Sequence, residues 1–172
     1  MDGINFADIE GDFVRARLYP EFTWRAHDAF SPLNPLRLPL EAARVAFVTT
    51  AGAHLADQPP FDVAAAAGDA SFRAFPSQTP LAEIELSHRG YDTRRARLDP
   101  NVVLPLDHLR AAARAGRIGG LAPTVYSFMG YIAETAPLVE ETAPAAAAGS
   151  PPTAPTWCCW PRPDPSASSP WD

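Results

Sequence analysis

Arg44-Val-Ala-Phe-Val-Thr-Thr-Ala-Gly52 is the stretch on which the reading of this chain turns. From Val45 to Thr49 every residue is apolar or β-branched, and none is charged. Such a run suits a strand buried on both faces, as in a parallel sheet covered by helices. It breaks at Ala51-Gly52, where glycine admits a positive φ or the close approach of a ligand to the backbone. Open α/β sheets bind ligands beyond the carboxyl ends of their strands. Thr49, Thr50, Gly52 and His54 are therefore expected at the rim of a site. The same pattern also describes a core strand followed by an ordinary turn.

Around that stretch, the length of 172 residues suits one domain. A formal net charge of −6 argues against a general nucleic-acid binder, which would carry a basic face. No apolar run approaches the ~18 residues of a membrane helix, and the start, Met1-Asp2-Gly3-Ile4-Asn5, lacks a signal peptide's basic and apolar regions. A cytoplasmic location is expected, with neither nucleic acid nor membrane as partner. Every basic side chain is arginine, which is what a G+C-rich genome produces. Cys158 and Cys159 are adjacent, a strained geometry for a mutual disulfide, and match no metal-ligand spacing; no metal is expected.

Outward from the central run, Ile9 to Leu18 reads as a short helix with Phe13 and Val14 inward. Phe22, Trp24 and Phe30 are apolar anchors in a segment that Pro20, Pro32, Pro35 and Pro39 keep extended. His54, Asp57 and Gln58 follow the strand end. Residues 61–80 read as a long excursion, a kind of loop that is usually functional or disordered. Leu81 to Ser87 alternates with period two, as a strand does, and leads into Ser87-His88-Arg89-Gly90-Tyr91-Asp92. Asn101 to Leu104 is a second short apolar run. Leu106 to Ala115 has helical period, with Gly116 as its C-cap. Val125 to Ile132 is aromatic-rich and interrupted by Gly130, and Glu134 to Ala148 reads as helix despite Pro137 and Pro144.

Composition changes at about Gly149. Residues 150–172 hold seven of the twenty prolines and three of the four tryptophans, without periodicity, as in disordered linkers. The division expected is 1–148 as the α/β domain and 149–172 as a Pro/Trp-rich disordered tail. The genetic code adds a second reading. Trp is TGG and Cys is TGY, so shifting the phase by two bases across Trp157 to Pro161 forces Val-Leu-Leu-Ala, a strand-type run. Further on, Pro163-Asp164 bridges to NGA, which admits TGA, a stop or the selenocysteine codon. The next three bridging codons admit Pro, then Leu, Ile, Phe or Val, then Cys. A selenocysteine-x-x-Cys motif after a buried strand is a redox or nucleophilic motif. The tail is therefore expected to be out-of-frame translation.

Several blocks resemble the selenoprotein B subunits of the glycine, sarcosine, betaine and D-proline reductases, the D-proline type above all. They are Val45-Ala-Phe-Val-Thr-Thr-Ala-Gly-Ala-His-Leu-Ala-Asp-Gln-Pro-Pro-Phe-Asp62, Gly68-Asp-Ala-Ser-Phe-Arg73, Ser87-His-Arg-Gly-Tyr-Asp92, Asp99-Pro-Asn-Val-Val-Leu-Pro-Leu-Asp107 and Tyr126-Ser-Phe-Met-Gly-Tyr131. The resemblance spans roughly residues 40 to 148. The fold class expected is α/β, with a Rossmann-like or flavodoxin-like, mostly parallel sheet that is incomplete at its C-terminal side. The resemblance implies reductive C–N bond cleavage of D-proline, glycine or an N-methylated glycine. It also implies a pyruvoyl-containing partner subunit that forms a Schiff base with the amine, an electron sink. The family's selenocysteine is the nucleophile, and its nearby Cys resolves the selenenyl-sulfide. No cofactor is expected to be bound by this chain itself. As printed, the chain lacks that nucleophile motif, so the resemblance implies a truncated subunit.

Candidate catalytic residues are His54, His88 and Asp92. Each His follows a predicted strand and has a nearby carboxylate, Asp57 or Asp92, as a general acid to a leaving amine requires; a structural hydrogen bond in a turn is the alternative. Candidate substrate-binding residues are Thr49, Thr50, Gly52, Asp57, Tyr91, Tyr126 and Ser127, with Tyr91 and Asp92 suited to an ammonium. His27 and His108 have no supporting context. A different class of function is a non-catalytic acidic binding domain whose Pro/Trp tail recruits a partner, and an oligomer is compatible with either.

Overall fold

A computed structural model describes residues 5–17, 20–23, 35–36 and 38–149, together with the backbone of 156–159. The chain forms two compact units, Met1–Pro35 and Leu36–Asp172. In the first, helix α1 runs Phe6–Arg17, slightly ahead of the expected span. Val14 is buried, but Phe13 is exposed, contrary to the inward face expected for it. Arg15 donates to the Phe22 carbonyl at 3.2 Å, fixing the turn after the helix. Trp24, His27, Phe30 and Pro32 lie outside the described residues.

The second unit is mixed α/β. Strands β1 (Arg44–Thr49), β3 (Phe72–Pro76), β5 (Gly120–Phe128) and β6 (Thr156–Cys159) form one sheet in the order β3-β5-β1-β6. The run that opened the sequence is its β1, which pairs in parallel with β5, Val45 opposite Leu121 and Thr49 opposite Ser127. β6 is also parallel to β1, Val45 opposite Trp157. β3 is antiparallel to β5, so the sheet is mixed. A separate antiparallel pair joins β2 (Ala53–Leu55) to β4 (Ile84–Leu86). The unit also contains helices α2 (Thr93–Leu98), α3 (Leu106–Arg114) and α4 (Ala143–Ala148), the last continuing a π-helical turn, Leu138–Thr142.

Both faces of the sheet are covered, which is why β1 carries no charge beyond the exposed Arg44 at its start. Residues alternate across a strand, so Phe47, Val125 and Phe75 point one way, into a core with Leu86, Ala96, Leu104 and Leu106. Val48, Tyr126, Phe128, Phe72 and Ala74 point the other way, against Leu138 and Ala146. Each fully buried Leu or Phe contributes roughly 1.5–3 kcal/mol of transfer free energy.

Helix α3 has its charges matched to the helix dipole, Asp107 in the first turn and Arg114 in the last. It ends where expected. Gly116 takes φ +67°, its N–H bonds the Ala113 carbonyl, and the Arg117 N–H reaches back to Ala112, a Schellman closure. Arg110 then donates to the Ser77 and Thr79 carbonyls, tying the helix to the turn after β3.

Expectations for several short segments change. Residues 61–80 are not a free excursion but contain β3. Its Arg73 donates to the Pro59 and Pro60 carbonyls and stacks 4.4 Å from the Phe61 ring centroid, pinning the loop to the strand. Leu81–Glu83 is a 3-10 turn, leaving only Ile84–Leu86 as strand. The apolar run at 101–104 is likewise a 3-10 turn, Pro100–Val102, whose Asp99 caps it by accepting from the Asn101 N–H. Asn101 at this turn is capped by a side chain that competes with strand pairing. Within the segment expected to be a tail, Thr156–Cys159 runs as β6.

Gly52→Ala is the sharpest test of this architecture. Gly52 has φ +67°, and an added Cβ would overlap the Ser87 carbonyl. Gly116 has the same φ with nothing within 4 Å of the added carbon. Urea unfolding followed by circular dichroism should show Gly116→Ala losing about 1 kcal/mol, the backbone term alone, and Gly52→Ala losing about 3 kcal/mol or failing to fold. Equal losses would mean that Gly52 is not a close-approach position.

Candidate active-site rim

The carboxyl ends of β1, β5 and β4 meet at one residue. Gly52 donates its N–H to the Phe128 carbonyl at 2.8 Å and accepts the Ser87 N–H at 2.9 Å. Thr49, fully buried at the end of β1, donates its hydroxyl to the Val103 carbonyl and accepts the Ala51 N–H, both at 3.1 Å. Ser127, equally buried, accepts the Ala53 N–H at 2.8 Å. Both hydroxyls hold the turn from inside. Thr50 and Gly130, in contrast, face each other at the outer edge. A Cβ on Gly130, which has φ +89°, would lie 2.8 Å from the Thr50 carbonyl oxygen and 3.0 Å from His88 Nε2.

The two candidate histidines are in opposite tautomers, each set by one backbone group. His54 is 2% exposed. Its Nδ1 sits 3.0 Å from the Leu55 carbonyl, which can only accept, so Nδ1 carries the proton. Nε2 then accepts from the Ser87 hydroxyl at 2.9 Å. Phe61 packs edge-on against the ring. Both nitrogens are thus engaged below the surface. His88 is the reverse: Nδ1 accepts the Gly90 N–H at 2.7 Å, leaving the proton of the neutral ring on Nε2. Its ring centroid lies 4.4 Å from that of Tyr91. Burial lowers the His88 pKa to about 4.

Neither expected Asp–His pair forms. Asp57 is exposed, and the neighbouring Gln58 bridges the Leu55 N–H to the Ala74 carbonyl as a structural clamp. Asp92 is the N-cap of α2; it binds the side chain and backbone N–H of Arg94, contacts that hold its pKa at about 2. Tyr91 donates its hydroxyl to the Ala51 carbonyl at 2.9 Å, and burial raises its pKa to about 12. The expected ammonium pair is therefore split between two structural tasks. Tyr126 lies on the other face of the sheet, packed edge-on with Phe72. His108 is exposed, and His27 lies outside the described residues. Among the described residues no cluster of His, Cys, Asp or Glu suits a metal ion.

Sequence reasoning missed Ser87, Arg89 and Gly130. The signal for Gly130 was a glycine breaking an aromatic strand; for Ser87 and Arg89 only their position beside His88 pointed to the rim. Arg89 lies with its guanidinium 4.9 Å from the Tyr131 ring centroid. The Gly68–Arg73 block proves to be a loop, Gly68 to Ser71, running into the first two residues of β3. Burial pulls the Asp69 carboxyl upward, but bonds from the Ser71 side chain and from the Asp62 and Ser71 N–H groups, with the Arg73 charge, leave its pKa lowered.

The partly buried His88 sets an acid limb. Its pKa is about 4 folded against 6.5 unperturbed. Below the unfolded value the unfolded chain takes up a proton that the folded chain refuses, so stability falls as pH drops from about 6.5 towards about 4 and is level above. His88→Gln should flatten that window in urea titrations across pH. Asp92, depressed to about 2, contributes stability above the unfolded carboxylate range that is lost as pH falls towards 2, and Asp92→Asn should remove only that lower part. A His88→Gln profile superimposable on the parent between pH 4 and 6.5 would show the ring to be solvated.

Among proteins of known family, the model for glycine/sarcosine/betaine reductase selenoprotein B matches residues 16–144. The D-proline reductase subunit gamma of Acetoanaerobium sticklandii is 36% identical over 111 residues, 64% of this chain and 45% of the relative. The betaine reductase complex component B subunit beta of Peptoclostridium acidaminophilum is 46% identical over 43 residues, 25% of this chain and 10% of the relative. The chain thus spans less than half the length of these curated relatives. No solved structure matches it. Among the described residues no helix is long and apolar enough to cross a membrane. With three quarters of its length under the family model, the chain belongs to the glycine/sarcosine/betaine reductase selenoprotein B family.

Proposed function

We propose that this chain is a portion of a reductase subunit that cleaves a C–N bond reductively in D-proline, glycine or an N-methylated glycine, working with a pyruvoyl-containing partner subunit. Family membership supports the reaction class, and the likeness to a D-proline reductase subunit favours D-proline. The Leu36–Asp172 unit is then part of a larger Rossmann-like sheet, and the rim of Thr50, Gly52, His88 and Gly130 is where the amino acid is handled.

The observation that carries this reading is the register of β6. It runs parallel to β1, with Phe47 opposite Cys159, so its carboxyl end lies on the same edge as Thr49, Thr50 and Gly52. In the shifted phase that strand becomes Val-Leu-Leu-Ala, and the TGA-compatible codon falls a few residues beyond it. A selenocysteine at that point would stand at the edge of the sheet where β1 ends. It would supply a nucleophile ionised near neutral pH, like a thiolate of low pKa. This chain's own residues shape the approach: Gly130 adds no side chain beside Thr50 and His88, and Gly52, His54, Thr49 and Ser127 hold the turn that carries them.

Genomic sequencing across codons 149–172, followed by expression of the phase-restored chain with its partner subunit, tests the proposal. TGA should stand at the Pro163–Asp164 junction in the shifted phase. The restored protein with a dithiol reductant should convert D-proline to a product two hydrogens heavier, while the 172-residue chain should not. A natural in-frame continuation without TGA in a neighbouring phase would dismiss the restored motif.

A further inference from the structure

We propose that His88 and Arg89 form a carboxylate-binding pair at the rim, with His88 serving as a neutral hydrogen-bond donor through Nε2. The inference deepens the proposed function and rests on it for the identity of the ligand, the carboxylate of an amino acid.

The polarity of His88 is fixed by Gly90. An amide N–H can only donate, so the 2.7 Å contact makes Nδ1 a lone-pair acceptor and puts the ring proton on Nε2. A doubly protonated ring would place two hydrogens against each other across that contact. His88 is therefore built to present a hydrogen and keep it, unlike the general acid that the sequence suggested. Nε2 faces the side of Gly130 where a Cβ would come within 3.0 Å of it. Glycine at this position keeps the donor from being covered.

The charges around the ring favour an anion. Tyr91, against the ring at 4.4 Å, is neutral, with its hydroxyl held by the Ala51 carbonyl. Asp92, four residues on, is bound to Arg94, and Glu85, three residues before, is an exposed residue of β4. Arg89 makes no ion pair among the described residues. Its guanidinium lies over the Tyr131 ring at 4.9 Å and makes one long contact, 3.5 Å, to the Ala65 carbonyl. His88 and Arg89 thus converge on the adjacent residues Gly130 and Tyr131. One fixed N–H and one uncompensated guanidinium suit the two oxygens of a carboxylate, since charge-assisted bonds to guanidinium are the stronger kind.

The test uses the 172-residue chain with 15N-labelled histidine, acetate and D-proline as probes, and inorganic phosphate as the competing anion. Long-range proton–nitrogen spectra at pH 7 should show His88 as the Nε2–H tautomer. Acetate and D-proline should each shift Nε2, and phosphate should bind more weakly. His88→Ala and Arg89→Ala should each weaken acetate binding about tenfold, roughly the worth of one charge-assisted bond. His88→Gln, which keeps a donor, should stay within about threefold, and circular dichroism verifies that each variant folds. An Nδ1–H or cationic His88 at pH 7, an Nε2 unmoved by both carboxylates, or phosphate binding more tightly than acetate would each overturn the pair. If carboxylates shift Nε2 but the phase-restored enzyme reduces no amino acid, the reductase reading fails while the pair stands. If reduction proceeds with a KM that His88→Ala leaves unchanged, the pair fails alone.

Discussion

Gly52 is the joint on which the Leu36–Asp172 unit depends. Its N–H holds the end of β5 and its carbonyl holds the end of β4, immediately after β1 has run through the core. Three strand ends can converge only because this residue has no side chain and takes a positive φ. The buried hydroxyls of Thr49 and Ser127 complete the joint by taking up the Ala51 and Ala53 N–H groups, which would otherwise be buried without partners. The turn that carries Thr50, Gly52 and His54 is thus held on several sides by hydrogen bonds.

The two histidines show how one side-chain type takes two tasks on the same edge. His54 turns Nδ1–H to a carbonyl and receives Ser87, and so joins β2 to the residue after β4. His88 turns Nδ1 to an amide and leaves the ring proton on Nε2, on the side of Gly130. Each ring is placed by a local backbone group one or two residues away, so the short segments Gly52–Leu55 and Ser87–Gly90 contain their own orienting devices. The same economy holds in the Gly68–Arg73 block, where Asp69 gathers N–H groups and Arg73 gathers carbonyls, closing the loop without a hydrophobic core of its own.

Much of this was legible beforehand. The uncharged β-branched run became the central strand, the helical period from Leu106 became α3, and Gly116 became its cap. The long ordered blocks were enough for the family, because they preserve loops and turns as well as apolar pattern. What failed were short elements. Phe72–Pro76 has no period that distinguishes strand from loop, and becomes β3 by pairing with β5 across a long stretch of chain. Ile84–Leu86 is a strand only because β2 lies beside it.

By itself the sequence determined a mixed helix-and-strand content, the strand at its centre and the family, since burial on two faces and glycine at a turn leave direct marks in composition and order. Only the tertiary structure decided which rim residues face outward. Asp92 and Tyr91 carry the chemistry of a binding pair, yet one caps α2 and the other reaches back to Ala51. His54 and His88 are equivalent as letters and opposite as donors. Hydrogen-bond direction depends on which backbone group lies opposite each nitrogen, the Leu55 carbonyl in one case and the Gly90 N–H in the other, and that is set by the backbone conformation each short segment adopts where it packs at Gly52.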